Sequence, residues 1–212
     1  MENINQETKR FKDYFETADI VVLGENIGHG KNQEVVRAFL DQFHDQISTL
    51  FIEFTVDLQE DVEKYLKTGE MGDNLKRTFA GARKEGKMLE KQTLTELDTA
   101  KTYGIEVICF DASKTSTQEY GRRAKTGYYF IKGECRDEDM FENVKAYQET
   151  HPGKAVVVIG GHHLTSHNFE GNFKNFGPRM TESFGDRCIF LGLGERKDKE
   201  EYPLAVKFED VI

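Results

Sequence analysis

The sequence is poor in cysteine, in positive charge and in long apolar runs, and each shortage excludes a class of protein. Its three cysteines, Cys109, Cys135 and Cys188, are odd in number and widely spaced. Without a C-x-x-C pair they indicate neither a disulfide framework nor a thiolate zinc site. Cys109 and Cys188 fall inside apolar runs and read as core, whereas Cys135 precedes an acidic segment and is the one expected near the surface. A net charge of -9 argues against nucleic acid or an anionic membrane as partner, since both demand clustered positive charge. No stretch approaches the roughly 20 apolar residues of a membrane span. The opening MENINQETKRFKDYF has no apolar signal region. The expectation is a cytoplasmic protein, with signal-independent export as an effector left open.

The 212 residues, 37% hydrophobic and 32% charged, suffice to bury a core without help from disulfides or metal. One domain over 1–212 is expected. Short apolar runs alternate with longer helical patterns. Ile20-Val21-Val22-Leu23 reads as a buried strand, and residues 31–46 follow with Val35, Val36, Phe39, Leu40 and Phe43 on one helix face. Leu50-Phe51-Ile52 is a second strand, and 56–67 reads helical through Leu58, Val62, Tyr65 and Leu66. The polar, lysine-rich stretch 69–95 looks like a helical excursion or lid. A third strand covers Ile105 to Phe110. A helix over 136–149 opens with Asp137-Glu138-Asp139, which suits the positive end of a helix dipole. Ala155 to Ile159 and Arg187 to Leu193 are further strands, and Leu204 to Phe208 an edge candidate. Alternation of this kind predicts an α/β fold, a mostly parallel sheet flanked by helices on both faces, with a small helical excursion.

In such sheets ligands bind beyond the carboxyl ends of the strands. The residues that follow each apolar run are therefore informative. They are Gly24-Glu25-Asn26-Ile27-Gly28-His29-Gly30, Glu53, Asp111, and Gly160-Gly161-His162-His163. Asp111 reads as a turn cap, and the glycines of the first loop as permitting a tight turn. The first loop fits neither G-x-x-x-x-G-K-[ST] nor G-x-G-x-x-G, so a nucleotide site is not indicated. Ser166 lacks a G-x-S-x-G setting. What gathers at one rim is two acids and at least one histidine, enough for a base, a group to orient it, and an acid. The same carboxylates and imidazoles also suit one zinc or manganese ion, although no H-E-x-x-H helix is present.

Four blocks resemble the erythromycin esterase-like proteins, in the same order and over roughly residues 20–193. LGENIGHGKNQEVVRAFLDQF is similar to their strand ending in G-E-x-x-H-G, here one residue longer. FIEF is similar to their second strand. RDEDMFENVKAYQETHPGKAVVVIGGHHL is similar to an R-D-x-x-M-x-x-N helix before a strand ending in histidine, and FGPRMTESFGDRCIFLGL to a closing helix, Gly-Asp turn and last strand. The wider superfamily includes Tiki-like metalloproteases, ChaN-like haem-binding proteins and toxin peptidase domains. The resemblance implies a hydrolase cleaving an ester or amide bond of a small molecule or peptide. In it His29 is the base for a water, and Glu25 and Glu53 are orienting or acidic partners. His163, which fits G-x-x-H from Gly160, is preferred to His162, and Arg136 is a substrate-binding candidate. Two alternatives accompany it: a metal-dependent peptidase with Glu25, His29, Glu53 and His163 as ligands, and a non-catalytic protein that binds haem or another small ligand. The antibiotic esterases carry much more helix over their sites, which argues against a macrolide substrate.

Overall fold

The computed structural model describes residues 15–25, 32–81, 86–124, 129–164 and 174–193. Five parallel strands form the sheet: β1 (Ile20–Glu25), β2 (Ile47–Thr55), β3 (Glu106–Asp111), β4 (Lys154–Gly160) and β5 (Cys188–Leu193), in the order β3-β2-β4-β1-β5. The expected mostly parallel α/β sheet with helices on both faces is what the chain builds. The proposed edge strand at 204–208 lies outside the described residues.

Alternation along the strands sorts the core into two layers, because successive side chains of a strand point to opposite faces. Val21, Leu23, Leu50, Ile52, Val156 and Val158 pack on one face against helices α1 (Asn32–Phe43), α2 (Gln59–Thr68), α3 (Asp73–Gly81) and α4 (Gly86–Tyr103). Ile20, Val22, Phe51, Val157 and Ile159 pack on the other against α6 (Tyr129–Thr150) and α7 (Phe176–Phe184). Helix α5 (Lys114–Ala124) packs against α6. Strands buried on both faces must be apolar at every position, which is why they read as unbroken runs rather than alternating ones.

Several boundaries differ from the sequence reading. The lysine-rich stretch becomes α3 and much of α4, with Leu75 and Phe79 buried in the first core layer. Gly24 belongs to β1 rather than to a turn, and a side chain there would collide with Leu164. The helix expected from 136 starts instead at Tyr129, so Asp137 lies two turns inside it and cannot be a dipole partner at its end. Gly133 did not stop the helix, since one interior glycine costs only about 1 kcal/mol. Among the described residues no helix is long and apolar enough to cross a membrane.

Candidate functional site

The chain reverses direction across the sheet at β4, which lies between β2 and β1, and the carboxyl ends of these strands form the rim where parallel sheets bind ligands. Glu53 comes from the end of β2, at an irregularity in the pairing with β3 between Ile52 and Thr55. Its neighbours Ile52 and Phe54 both belong to the first core layer, so alternation sends Glu53 to the α6 side.

Helix α6 supplies the other half. Arg136, Met140 and Asn143 recur at i, i+4 and i+7, and so share one face of the helix. Met140 is buried and Asn143 donates to the Phe110 carbonyl at 3.0 Å, which docks α6 on β3. This fixes Arg136 over the rim. Its Nε and Nη2 donate to the two oxygens of Asp111 at 2.8 and 2.9 Å, a bidentate pair, and Nη2 also donates to Glu53 Oε1 at 2.6 Å. The other oxygen of Glu53 accepts the Gly160 N–H at 2.6 Å. Gly160 is needed there, since a Cβ would meet the His162 ring at 2.9 Å and Glu53 at 3.3 Å.

His163 follows β4 in a short 3-10 turn, Gly161–Leu164, and is buried. Its Nδ1 donates to Asp137 Oδ1 at 2.6 Å, while its Nε2 faces Glu53 Oε1 at 3.5 Å. Asp137 is only 4% exposed at its side chain, and its second oxygen accepts the Phe176 N–H at 2.9 Å, so one carboxylate both orients the imidazole and caps α7. Arg136 Nη1 lies 3.3 Å from His163 Nε2, and Glu53 Oε1 faces both groups, 2.6 Å from Arg136 Nη2 and 3.5 Å from His163 Nε2.

Burial of His163 favours the neutral ring, but its hydrogen bonds to Asp137 and Glu53 and their charges outweigh that and push its pKa up to about 9. Burial alone would raise Glu53, yet the hydrogen bond and charge of His163, the Arg136 charge and the Gly160 N–H bring it down to about 2. Burial likewise opposes the charge on Arg136, and Asp111 and Glu53 reverse it, leaving its pKa above the ordinary arginine value. The raised pKa favours the imidazolium form of His163 at neutral pH. The exposed His162 lies against that ring in a tilted arrangement, ring centroids 3.9 Å apart, and desolvation together with the His163 charge holds its pKa below the usual histidine value.

The structure thus gathers Glu53, Arg136 and His163 from the expected set, with His162 beside them. Glu25 ends β1 in register with Gly160, and its side chain is not among those described. His29 lies outside the described residues, as do Gly28 and Gly30. Asp111 does meet the Ala112 N–H at 2.7 Å as a cap would, but its larger role is the grip on Arg136. Asp137 was missed, because a mid-helix carboxylate was read as the first turn of a helix. Its adjacency to Arg136 in R-D-x-x-M-x-x-N was the available signal.

Metal ligation was a further possibility at this rim. Among the described residues no three His, Cys, Asp or Glu side chains are grouped to hold an ion. The Arg136 guanidinium occupies the space between Glu53 and Asp111 where a cation would neutralise them, and His163 Nδ1 is engaged by Asp137. Glu53 and His163 as placed therefore do not fit a metal, while Glu25 and His29, the other two candidate ligands, are not among the described side chains.

Searches by sequence find no matching family model and no matching characterised protein. Solved structures do match. A protein from Bacillus cereus superposes with a TM-score of 0.63 at 16% identity, covering 90% of this chain and 69% of its own. A mutant of the erythromycin esterase EreC in its open conformation gives 0.60 at 11% identity, covering 87% of this chain and 72% of its own. ChaN of Campylobacter jejuni, with cofacial haem bound, gives 0.58 at 12% identity and 92% coverage of both chains. The fold is that of the erythromycin esterase-like and ChaN-like proteins. Bacterial protein toxins share it too, at a TM-score of 0.61 and 18% identity, with this chain spanning only 37% of the toxin chain. At these identities the likeness establishes architecture, and one architecture hosts many chemistries.

Proposed function

We propose that this chain hydrolyses an ester or amide bond of a small molecule or peptide at the carboxyl rim of its sheet. The observation that carries this reading is His163, bound by Asp137 and turned toward the rim beside Glu53 and Arg136, where the two carboxylates raise its pKa and favour its charged form. A buried cationic N–H with a pKa near 9 is a general acid and a stabiliser of developing negative charge. It is the wrong protonation state for a base, so the base is a second group, and His29, in the sequence between β1 and α1, is assigned that role.

In the proposed reaction His29 takes a proton from water as the water oxygen bonds to the carbonyl carbon. The His163 Nε2–H stabilises the oxyanion and then protonates the departing alkoxide or amine, giving a carboxylic acid and an alcohol or amine. Glu53 and Arg136 keep the imidazolium in place, Asp111 holds Arg136, and Glu25 is a candidate to orient His29. No step is routed through a metal.

The test is turnover of a panel of nitrophenyl esters and N-acyl peptides by the wild type, His29→Asn and His163→Asn. Loss of general acid or base catalysis costs about 10² to 10⁴ in kcat. The reading expects a loss of that size in both variants, with His29→Asn keeping the wild-type melting temperature. Undiminished turnover in either variant would overturn the assigned roles.

A further inference from the structure

Helix α7 begins without a side-chain cap of its own. Asn175 at its N-cap makes no capping bond, and Pro178 in the first turn has no N–H to offer. The acceptor comes instead from α6, where Asp137 Oδ2 takes the Phe176 N–H at 2.9 Å while Oδ1 takes the His163 Nδ1–H at 2.6 Å. Both bonds are buried, so the loss of one is not made good by solvent. A carboxylate is planar and its two oxygens move together. A displacement of the first turn of α7 is therefore carried through Asp137 to the His163 ring.

Gly177 decides how close that turn comes. It is buried in the helix and is not one of the glycines at positive φ. Alanine is intrinsically favoured over glycine in a helix, so local structure gives no reason for a glycine here. The contact does. A Cβ at 177 would stand 2.9, 3.0 and 3.2 Å from the oxygen, Cα and carbonyl carbon of Leu164. All three are backbone atoms and cannot yield by a side-chain rotation. Leu164 closes the Gly161–Leu164 turn that carries His163. Its side chain in turn occupies the place where a Cβ on Gly24 would stand, so the turn is wedged between β1 and α7.

We propose that Gly177 is a positioning residue of the site: its missing side chain lets α7 seat against the His163–Leu164 turn, so that Phe176 and Asp137 together fix the orientation of the His163 ring. The consequence for turnover rests on the hydrolytic reading above, whereas the hold on the ring does not.

The experiment compares the full-length wild type with Gly177→Ala by three readouts: the His163 Nδ1 proton signal, the pH titration of its ring carbon-bound protons, and turnover of the ester and peptide panel. In the wild type the Nδ1 proton, in a 2.6 Å bond to a carboxylate, is expected well downfield. In Gly177→Ala it is expected to move upfield, and the ring to titrate at lower pH, because its bond to Asp137 holds its pKa up. The kcat is expected to fall about tenfold with KM near the wild-type value, since a misplacement of about 1 Å can cost about 10²-fold. A glycine that served stability alone would lower the melting temperature and leave the ring signals in place. That result in a folded variant would overturn the proposal. Should the variant not fold, the wild type carries the test: its Phe176 amide signal is expected to move with the His163 titration at the same midpoint. A Phe176 amide that ignores that titration would overturn the proposal too. Altered ring signals in Gly177→Ala of a protein that cleaves nothing on the panel would remove the hydrolytic reading and support this one. Lost turnover with an unaltered ring would remove this one alone.

Discussion

The two ends of the sheet carry the same kinds of charged residue and use them differently. At the amino rim Asp19 and Arg187 pair at 2.9 Å with side chains 45% and 61% exposed, and Lys154 donates to the carbonyls of Phe15 and Ala18 beside the Phe15 ring. At the carboxyl rim Arg136, Glu53, Asp111, His163 and Asp137 are all 27% exposed or less at their side chains, and all belong to one connected network. The amino-rim pair is solvated, and each member would be satisfied by water if the other were removed. The carboxyl-rim groups depend on each other for their charge states, which is why Glu53 and His163 depart so far from their ordinary pKa values. Strongly perturbed groups in one place are what a chemical site requires, and a structural ion pair does not.

Removing Arg136 should break that contrast most severely. Arg136→Ala leaves Glu53 and Asp111 buried without their counter-charge, a type of change that costs about 3–5 kcal/mol. Urea unfolding should register it directly. Arg136→Lys keeps a charge but cannot make the bidentate pair with Asp111, and should recover only part of the loss.

Stability should also depend on pH in two windows set by the carboxyl rim. His163 has a raised pKa, so its contribution is complete below its unfolded value of 6.5 and is lost as the pH climbs through about 9. Glu53 has a lowered pKa, so its contribution is complete above 4.5 and is lost as the pH falls toward about 2. Each window is worth at most on the order of 3 kcal/mol, and the two are not additive because the residues interact with each other. Unfolding midpoints across pH should form a plateau near 5 to 6.5 with a decline on both sides.

Much of this arrangement was legible in the sequence, for a physical reason. Parallel strands buried on both faces leave unbroken apolar runs, and the residue after each run must lie at the carboxyl rim. That logic reaches Glu53 and His163, which the structure places together at that rim. It also reaches Asp111, whose cap-like role is real but secondary to its grip on Arg136. It does not reach Asp137, which sits on a helix rather than a strand end. Its acidic neighbours Glu138 and Asp139 imitate a helix start, and Gly133 hides the two turns that precede it. The irregularity in the β2–β3 pairing beside Glu53 depends on contact between distant segments, which local patterns do not encode.

Asp137→Asn sharpens the comparison at intermediate cost. The amide still accepts from Phe176 but loses its charge against His163, so a stability loss of about 1–3 kcal/mol is expected. Turnover should fall by on the order of 10²-fold if the imidazolium acts as the acid, with the alkaline limb of the rate profile moving to lower pH. The smallest effect belongs to the amino rim. Arg187→Ala removes an exposed pair and should change stability by less than about 1 kcal/mol, leaving turnover untouched.

The most direct test of the central claim is the ionisation of His163 itself, followed by its imidazole carbon-bound proton signals in the wild type and in Asp137→Asn. The account predicts a pKa near 9 in the wild type and a clear fall in the variant. A wild-type value near 6.5, unchanged in Asp137→Asn, would contradict it, because His163 would then be an ordinary histidine and not the charged acid of a coupled site.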